Sequence, residues 1–391
     1  MVSGQASRGK QNRPGFGGQA AGGTPLGRSS EWHNGAMREL KIAVIPGDGI
    51  GVEVTPSARQ VINTVAARHD ARFQYVEFDW GTDCYFRTGR MAPEDQIDQL
   101  RRFDAILLGA VGHPEVPDNV TLNGLLLPIR RAFDQYACER PAKLYAGVDS
   151  PLKDKAAGSI DMVVVRENTE GEYSQIGGRL YPHTASEVAV QTAVFTRKGC
   201  ERIIRHAFEL ARKRDKKRRV CSITKSNAQG FSMVLWDEAF ASVAAEFSDI
   251  ETESLLVDAA AMNFVRRPES FDVVVGSNLF GDILSDLSAI LTGSMGLAPS
   301  SNLDPTRQFP SMFEPVHGSA PDIAGRGIAN PLAMILSAAM MLDFLGLENA
   351  AAEIETAVAE VLAEGGTLPA DLGGGASTDQ VTEAVTAKLA A

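Results

Sequence analysis

Three things are missing from this chain: an apolar run fit for a membrane, cysteines spaced for a bridge or a metal, and a surplus of positive charge. No apolar stretch approaches the roughly 18 residues that a spanning helix needs. The four cysteines, Cys84, Cys138, Cys200 and Cys221, are scattered, with no CxxC and no metal-type pairing with histidine. That excludes a disulfide framework and predicts reduced thiols in a cytoplasmic protein. The formal net charge is −11. Residues 1–36 hold Arg8, Lys10, Arg13 and Arg28 against Glu31, a local +3, which leaves −14 on the rest. So acidic a body is not built to follow a nucleic-acid backbone. The first 36 residues hold few large apolar side chains and lack a secretory h-region. They predict a disordered tail ahead of a functional start at Met37.

What is present is ordinary for a globular protein: 44% hydrophobic and 22% charged residues in a chain of 391, long enough for two domains or one large α/β unit. No internal repeat is visible. From Leu40, strand-like apolar runs (41–45, 105–108, 162–165, 220–223, 254–257, 273–275, 312–315) alternate with helical patterns (55–68, 197–214, 232–247, 279–291, 331–345, 352–363). Such alternation predicts an α/β fold with helices covering a largely parallel sheet. Residues 184–195 are β-rich and predict antiparallel strands. Glycine-rich turns at 365–366 and 373–375 precede a short final helix. In the basic run 212–219, seven of eight residues are cationic. It closes a helix, where cations complement the dipole.

The densest chemistry is Phe280-Gly281-Asp282-Ile283-Leu284-Ser285-Asp286, directly after the buried run Val273-Val274-Val275. Asp282 and Asp286 are i,i+4 on one helical face. Two parallel carboxylates repel unless a hard cation lies between them, and oxygen-only ligation favours Mg²⁺ or Mn²⁺. Gly47-Asp48-Gly49-Ile50-Gly51 ends the first strand as GxGxG, not the dinucleotide spacing GxGxxG, and lets backbone approach a ligand closely. Arg130, Arg131, Arg140 and Arg166 can bind carboxylates bidentately, and Arg166 ends a buried strand, where ligands gather. Lys225 and Asp258 end two further strands, and Tyr173 follows Arg166. Together they make a set of proton acceptor, metal ligand and proton donor.

These pieces, with Arg140-Pro141-Ala142-Lys143, Arg166-Glu167-Asn168-Thr169-Glu170-Gly171-Glu172-Tyr173, Thr224-Lys225-Ser226-Asn227 and the segment 313–325, resemble the β-decarboxylating dehydrogenases. That family contains isocitrate, 3-isopropylmalate, homoisocitrate, D-malate and tartrate dehydrogenases. The resemblance runs in order from about Leu40 to Leu347. It implies a non-Rossmann, two-domain α/β fold of the isopropylmalate dehydrogenase type with the active site in the interdomain cleft. One domain would be residues 37–135 plus 293–391, the other 136–292, with an intersubunit β-structure near 184–195. It implies NAD- and metal-dependent oxidative decarboxylation of a hydroxy-dicarboxylate by a homodimer with shared active sites. Asp258, Asp282 and Asp286 would hold Mg²⁺ or Mn²⁺, with a monovalent cation also possible. Arg130, Arg140 and Arg166 would hold the substrate carboxylates. Lys225 would take the hydroxyl proton and Tyr173 would protonate the enol carbon, Lys225 and Asp258 coming from the second subunit.

For the cofactor, the resemblance implies contacts from Ile50, Glu314, His317, Gly318, Ser319, Ala320, Asp322 and Asn330. A carboxylate at Asp322 accepts from ribose hydroxyls and repels a 2′-phosphate; NADP-using relatives carry Lys-Tyr where this chain has Asp322-Ile323. Around the substrate's variable group stand Leu122, Asn123 and Leu126. The stretch 166–174 is closest to the D-malate/tartrate branch. Asn123 departs from it, standing where that branch has Trp, and residues 257–262 lean towards the isopropylmalate wording. The expected substrate is therefore D-malate or tartrate, with 3-isopropylmalate or another 3-alkylmalate as the alternative and isocitrate-like acids behind. A non-catalytic regulatory relative would have lost a metal carboxylate, the tyrosine or the lysine, and all are present.

Overall fold

The computed structural model describes residues 37–390; the tail expected over 1–36 lies outside the described residues. Among the described residues twelve strands form, in chain order: β1 (Arg38–Gly47), β2 (Ala71–Glu77), β3 (Ala105–Ala110), β4 (Ala137–Lys143), β5 (Asp161–Glu167), β6 (Gly171–Leu180), β7 (Val188–Val194), β8 (Arg219–Thr224), β9 (Glu251–Leu256), β10 (Val273–Gly276), β11 (Pro299–Leu303) and β12 (Ser311–Pro315). Ten of them make one sheet in the order β2-β1-β3-β12-β11-β4-β5-β10-β8-β9. It has two parallel wings, β2-β1-β3-β12 and β5-β10-β8-β9, joined through antiparallel pairings at β11 and β4. The wings carry the apolar runs that strands covered on both faces require. β3 is buried at every residue, and so is β10. Alternate residues of β1 serve two cores: Leu40, Ile42 and Val44 belong to one, Ala43 and Ile45 to the other.

The seam between the wings is polar. β11 buries Ser300, Ser301 and Asn302, and β4 carries Arg140. The expected division at 135/136 and 292/293 falls between β11 and β4, which are hydrogen-bonded to each other. β6 and β7 form a separate antiparallel hairpin whose outer residues are exposed, including Ile176, Leu180, Val188 and Val190. Only its second strand, β7, lies in the stretch 184–195 read as β-rich from the sequence; its partner β6 lies upstream.

The helices begin where the strands end. The first, Gly51–Ala66, starts at the glycine-rich turn. The helix Asn278–Leu291 follows β10 and is capped by Ser277, whose side chain accepts from the Phe280 amide. No helix among the described residues is long and apolar enough to cross a membrane. All four cysteines are free and buried. Burial pushes the Cys200 and Cys221 thiols up to about 12, with nearby glutamates adding to it. The basic run spends its charge on neighbours: Arg212 pairs with Asp249, Lys213 with Asp343, Arg214 with Asp161 and Asp272, Lys216 with Asp161 and Arg219 with Glu253.

Candidate active site

The site assembles around Asp282, one turn into the helix Asn278–Leu291. That helix comes close to β5 because residue 281 is glycine: a Cβ there would lie 2.6 Å from the Cβ of Arg166. Its first turn is held by Glu172, which accepts from the Ser277 hydroxyl at 2.8 Å and the Leu279 amide at 3.1 Å. Asn278 turns its carboxamide oxygen to Arg166, accepting from Nε at 3.0 Å and Nη2 at 2.6 Å. The guanidinium plane is thereby fixed before any ligand arrives, and Nη1 donates to Asp282 Oδ1. Arg140, reaching from β4, donates to the same Oδ1 at 3.1 Å and to Ser285 Oγ at 2.8 Å. Its Nη1 also lies 3.3 Å from Asp286 Oδ1.

Tyr173 completes the cluster. Its hydroxyl donates to Asp282 Oδ2 at 2.6 Å, and the Arg166 guanidinium lies 5.1 Å from its ring centre. Arg131 holds the tyrosine's backbone, donating to its carbonyl at 3.1 Å. Burial, and then the Asp282 charge, pushes the Tyr173 phenol up to about 12. Burial opposes ionisation of Asp282 as well, but Arg166 and Arg140 outweigh it and hold that carboxyl below the usual range. Asp286 moves the other way: burial raises it and the Asp282 charge adds, with Arg140 offsetting only part.

Arg130 is buried and donates through Nη2 to Glu314 Oε1 at 2.5 Å; Asn302 donates to the same oxygen at 2.8 Å. The Nε atoms of Arg130 and Arg140 are buried without a partner among the described residues. Unspent donors on buried guanidinium groups fit an anionic ligand better than a finished structural ion pair. Glu314, expected on the cofactor side, thus also anchors an arginine expected on the substrate side.

Lys225 and Asp258 pair with each other at 2.6 Å, and the lysine's hydrogen bond holds the Asp258 carboxyl below its usual range. They follow β8 and β9 at the sheet edge, Asp258 within the helix Val257–Arg266. Among the described residues no group of three or more His, Cys, Asp or Glu is arranged to hold a metal ion. Asp282 and Asp286 nevertheless offer oxygen donors only, and the Asp286 side chain is 56% exposed. That half-set fits a hard divalent cation that keeps room for substrate and water.

The loop between β12 and the helix Leu332–Phe344 carries the expected cofactor residues. Ser319 is buried and its carbonyl accepts from the Ile50 amide at 2.9 Å, so the loop lies against the glycine-rich turn. That turn is fixed by Asp48, whose carboxylate accepts from the Thr82 amide and hydroxyl, both at 2.7 Å, and from the Gly112 amide at 2.8 Å. His317 bonds through Nδ1 with the Gly318 carbonyl at 2.9 Å, and its Nε2 is buried without a partner among the described residues. Ala320 takes a left-handed φ of +39°, and Asp322 is exposed. Asn330 donates to Asp371 at 3.0 Å and accepts from the Leu332 amide at 3.0 Å.

The residues expected around the substrate's variable group lie on an unusual helix. A π-helical turn, Leu122–Leu126, separates Asp118–Thr121 from Leu127–Ala132, a distortion that recurs at functional sites. Leu122 and Asn123 are exposed, whereas Leu126 is buried in the second core. Asn123 donates to the Asn119 carbonyl at 2.7 Å and accepts from Gln175, two residues beyond Tyr173 on β6. Asn278, Glu172, Asn302 and Gln175 do not follow from the residue-by-residue reading. Asn278 and Glu172 sit inside motifs singled out for their neighbours; Asn302 lies on a strand with no apolar signature.

A family model described as isocitrate/isopropylmalate dehydrogenase matches residues 41–385. A probable tartrate dehydrogenase/decarboxylase of Agrobacterium vitis is 51% identical over 350 residues, covering 89% of this chain and 97% of the relative. The decarboxylating D-malate dehydrogenase of Escherichia coli strain K12 is 50% identical over 356 residues, covering 89% and 98%. Among solved structures, isocitrate dehydrogenase from Methylococcus capsulatus superposes with a TM-score of 0.81 at 37% identity, covering 90% of this chain and 99% of that one.

Proposed function

This chain belongs to the isocitrate/isopropylmalate dehydrogenase family, and on that premise we propose that it oxidises and decarboxylates D-malate or tartrate, using NAD⁺ and a divalent cation. The observation that carries the reading is the convergence of Arg140, Arg166 and Tyr173 on Asp282. Two guanidinium groups sharing one carboxylate oxygen leave positive charge for the carboxylates of a dicarboxylic acid. NAD⁺ would supply the hydride acceptor, and Mg²⁺ or Mn²⁺ held by Asp282, Asp286 and a second copy's Asp258 would supply a Lewis acid at the substrate oxygens.

The chain's own groups do the rest. Arg130, Arg140 and Arg166 bind and orient the carboxylates, with the Arg166 plane preset by Asn278. Lys225 takes the hydroxyl proton. Tyr173, its phenol pushed up to about 12, stays protonated at neutral pH and can deliver a proton to the carbon that loses CO₂. Asp322 accepts from the ribose hydroxyls, which favours NAD over NADP. Residues 37–135 with 293–391 would act as one domain and 136–292 as the other.

Lys225 and Asp258 would come from a second copy of the chain in a homodimer. In support, Ile283, Ile290, Met262, Val265 and Phe231 are large, apolar and exposed. So is much of the β6–β7 hairpin, and a lone two-stranded hairpin is marginal without a covering surface. The alternative, a 3-alkylmalate, is disfavoured by the Asn123–Gln175 carboxamide pair, which offers a substituent hydrogen bonds, not apolar surface.

NADH formation at 340 nm with Mn²⁺, compared across D-malate, the tartrate isomers, 3-isopropylmalate and isocitrate, tests the proposal. The expected result is the highest kcat/KM for D-malate or tartrate. A lead for 3-isopropylmalate, or silence across the panel, would overturn the substrate assignment.

A further inference from the structure

The loop of residues 316–331 is long for a connection in a compact fold, and such loops are commonly functional. Besides the Val316 amide on Ala298 O and the Asn330 carboxamide on Asp371, three ties hold it down. Near its start the Ile50 amide donates to Ser319 O. Near its end Thr378 donates its amide to Gly327 O at 2.9 Å and its hydroxyl to Ala329 O at 2.7 Å. The middle tie is a single side chain. Glu53, in the first turn of the helix Gly51–Ala66, accepts from the Gly325 amide through Oε1 and from the Gly327 amide, at 2.9 Å, through Oε2.

Gly325 and Gly327 have φ of +77° and +63°, and no atom lies within 4 Å of where a Cβ would be. Their conformation, not a lack of space, calls for glycine: it aims two amides of one loop at one point, as in an anion-binding nest. Here the anion belongs to the chain. Water would satisfy both amides on so exposed a segment. A carboxylate in place of water fixes the loop to the helix that Ile50 precedes, and exposed Asp322 lies between these ties in sequence.

We propose that Glu53 is a positioning residue of the cofactor site, holding the Asp322-bearing loop in its binding shape by bridging the Gly325 and Gly327 amides. The proposal rests on reading Glu314, His317, Gly318, Ser319, Ala320, Asp322 and Asn330 as cofactor contacts. A carboxylate in a helix's first turn also complements the helix dipole. Glu53→Asp separates the two roles, since it keeps the charge and is one methylene too short to hold both amides.

The test is NADH binding to the full-length protein by fluorescence titration, with trypsin cleavage after exposed Arg326 as a second readout. For Glu53→Ala and Glu53→Asp, the NADH Kd should rise about tenfold, the loss of a charge-assisted hydrogen bond. The KM for NAD⁺ should rise with it, while the substrate KM and Tm stay near wild type. Cleavage at Arg326 should accelerate. Glu53→Gln, with one acceptor left, should fall between, and it decides the question if Glu53→Ala does not fold. Wild-type Kd values in the variants would overturn the role of Glu53. So would wild-type behaviour of Glu53→Asp alone, which would leave only the dipole. Failure of the wild-type protein itself to bind NADH would sink the reading of this loop as a cofactor contact, and this proposal with it.

Discussion

Two parts of this molecule are rich in cations, and they use them in opposite ways. In the run 212–219 most of the charges lie at the surface, and Arg212 and Lys213 each meet a carboxylate of their own. Around Asp282 the arginines are fewer, buried, and share: Arg140 and Arg166 donate to one oxygen, and Arg140 keeps a buried Nε without a partner among the described residues. The sequence makes the first region look the more electropositive. Carboxylate sharing makes the second the more able to bind an anion. Density of charge along a chain therefore says little about a site, whereas incomplete neutralisation in a buried place says much.

Removing the shared carboxylate should have the largest effect. Asp282→Asn is expected to lower kcat by about a thousandfold or more, because it would remove the charge of the proposed metal ligand and the anion that Arg140, Arg166 and Tyr173 share. Circular dichroism should remain that of the wild type. A variant keeping a tenth of its turnover would put the chemistry elsewhere.

Next comes Glu167, which follows Arg166 on β5 but pairs with no arginine among the described residues. Burial pushes its carboxyl up to about 7, against hydrogen bonds from the Glu170 and Thr169 amides and the Thr169 hydroxyl. A carboxyl with a raised folded pKa binds more protons folded than unfolded. Stability should therefore fall as pH rises from about 4.5 to about 7 and level off above, by about 3 kcal/mol at most. In Glu167→Gln that slope should vanish; a difference in Tm between the two proteins that ignores pH would refute it.

Arg166→Lys keeps the charge but loses the planar fork set by Asn278. A drop in kcat/KM of about thirtyfold is expected, most of it in the substrate KM. The matching change on the other side of the comparison is Lys213→Ala, which breaks an exposed pair. There kcat/KM should be unchanged, and urea unfolding should shift by no more than about 0.5 kcal/mol.

The wings of the sheet are readable from sequence because strands buried on both faces are written in apolar residues: 105–108, 162–165 and 273–275 all fall within observed strands. The seam is not. β11 reads Pro-Ser-Ser-Asn-Leu and β4 carries Glu139, Arg140 and Lys143. These strands line the site, so their side chains were chosen for hydrogen bonding, and strand periodicity is lost where function is densest. β2 escaped for a plainer reason: it is mostly exposed, and its apolar residues are interrupted by Arg72, Gln74 and Glu77 and make no run. Residues 118–132 hide a helix behind Pro128 and a π-turn that breaks the 3.6-residue rhythm. Val257, placed at the end of a strand, instead opens the helix that bears Asp258. At the site, Asp282, Asp286, Tyr173, Arg140 and Arg166 were visible as residue types in the right order. The residues that aim them, Asn278 and Glu172, were not, because orientation is set by contacts across 105 to 112 residues of chain.

The four buried thiols turn the protein into its own set of clocks. Only a thiolate attacks an alkylating reagent, and none of these sulfurs is exposed in the native chain. Each reacts when its own surroundings open, so labelling times become local opening free energies. Cys84 times the short helix Thr82–Thr88 beside the glycine-rich turn, Cys138 the polar seam, and Cys200 and Cys221 a helix and a strand of the far wing. Mass spectrometry of a single alkylation series would rank those regions without introducing any foreign probe.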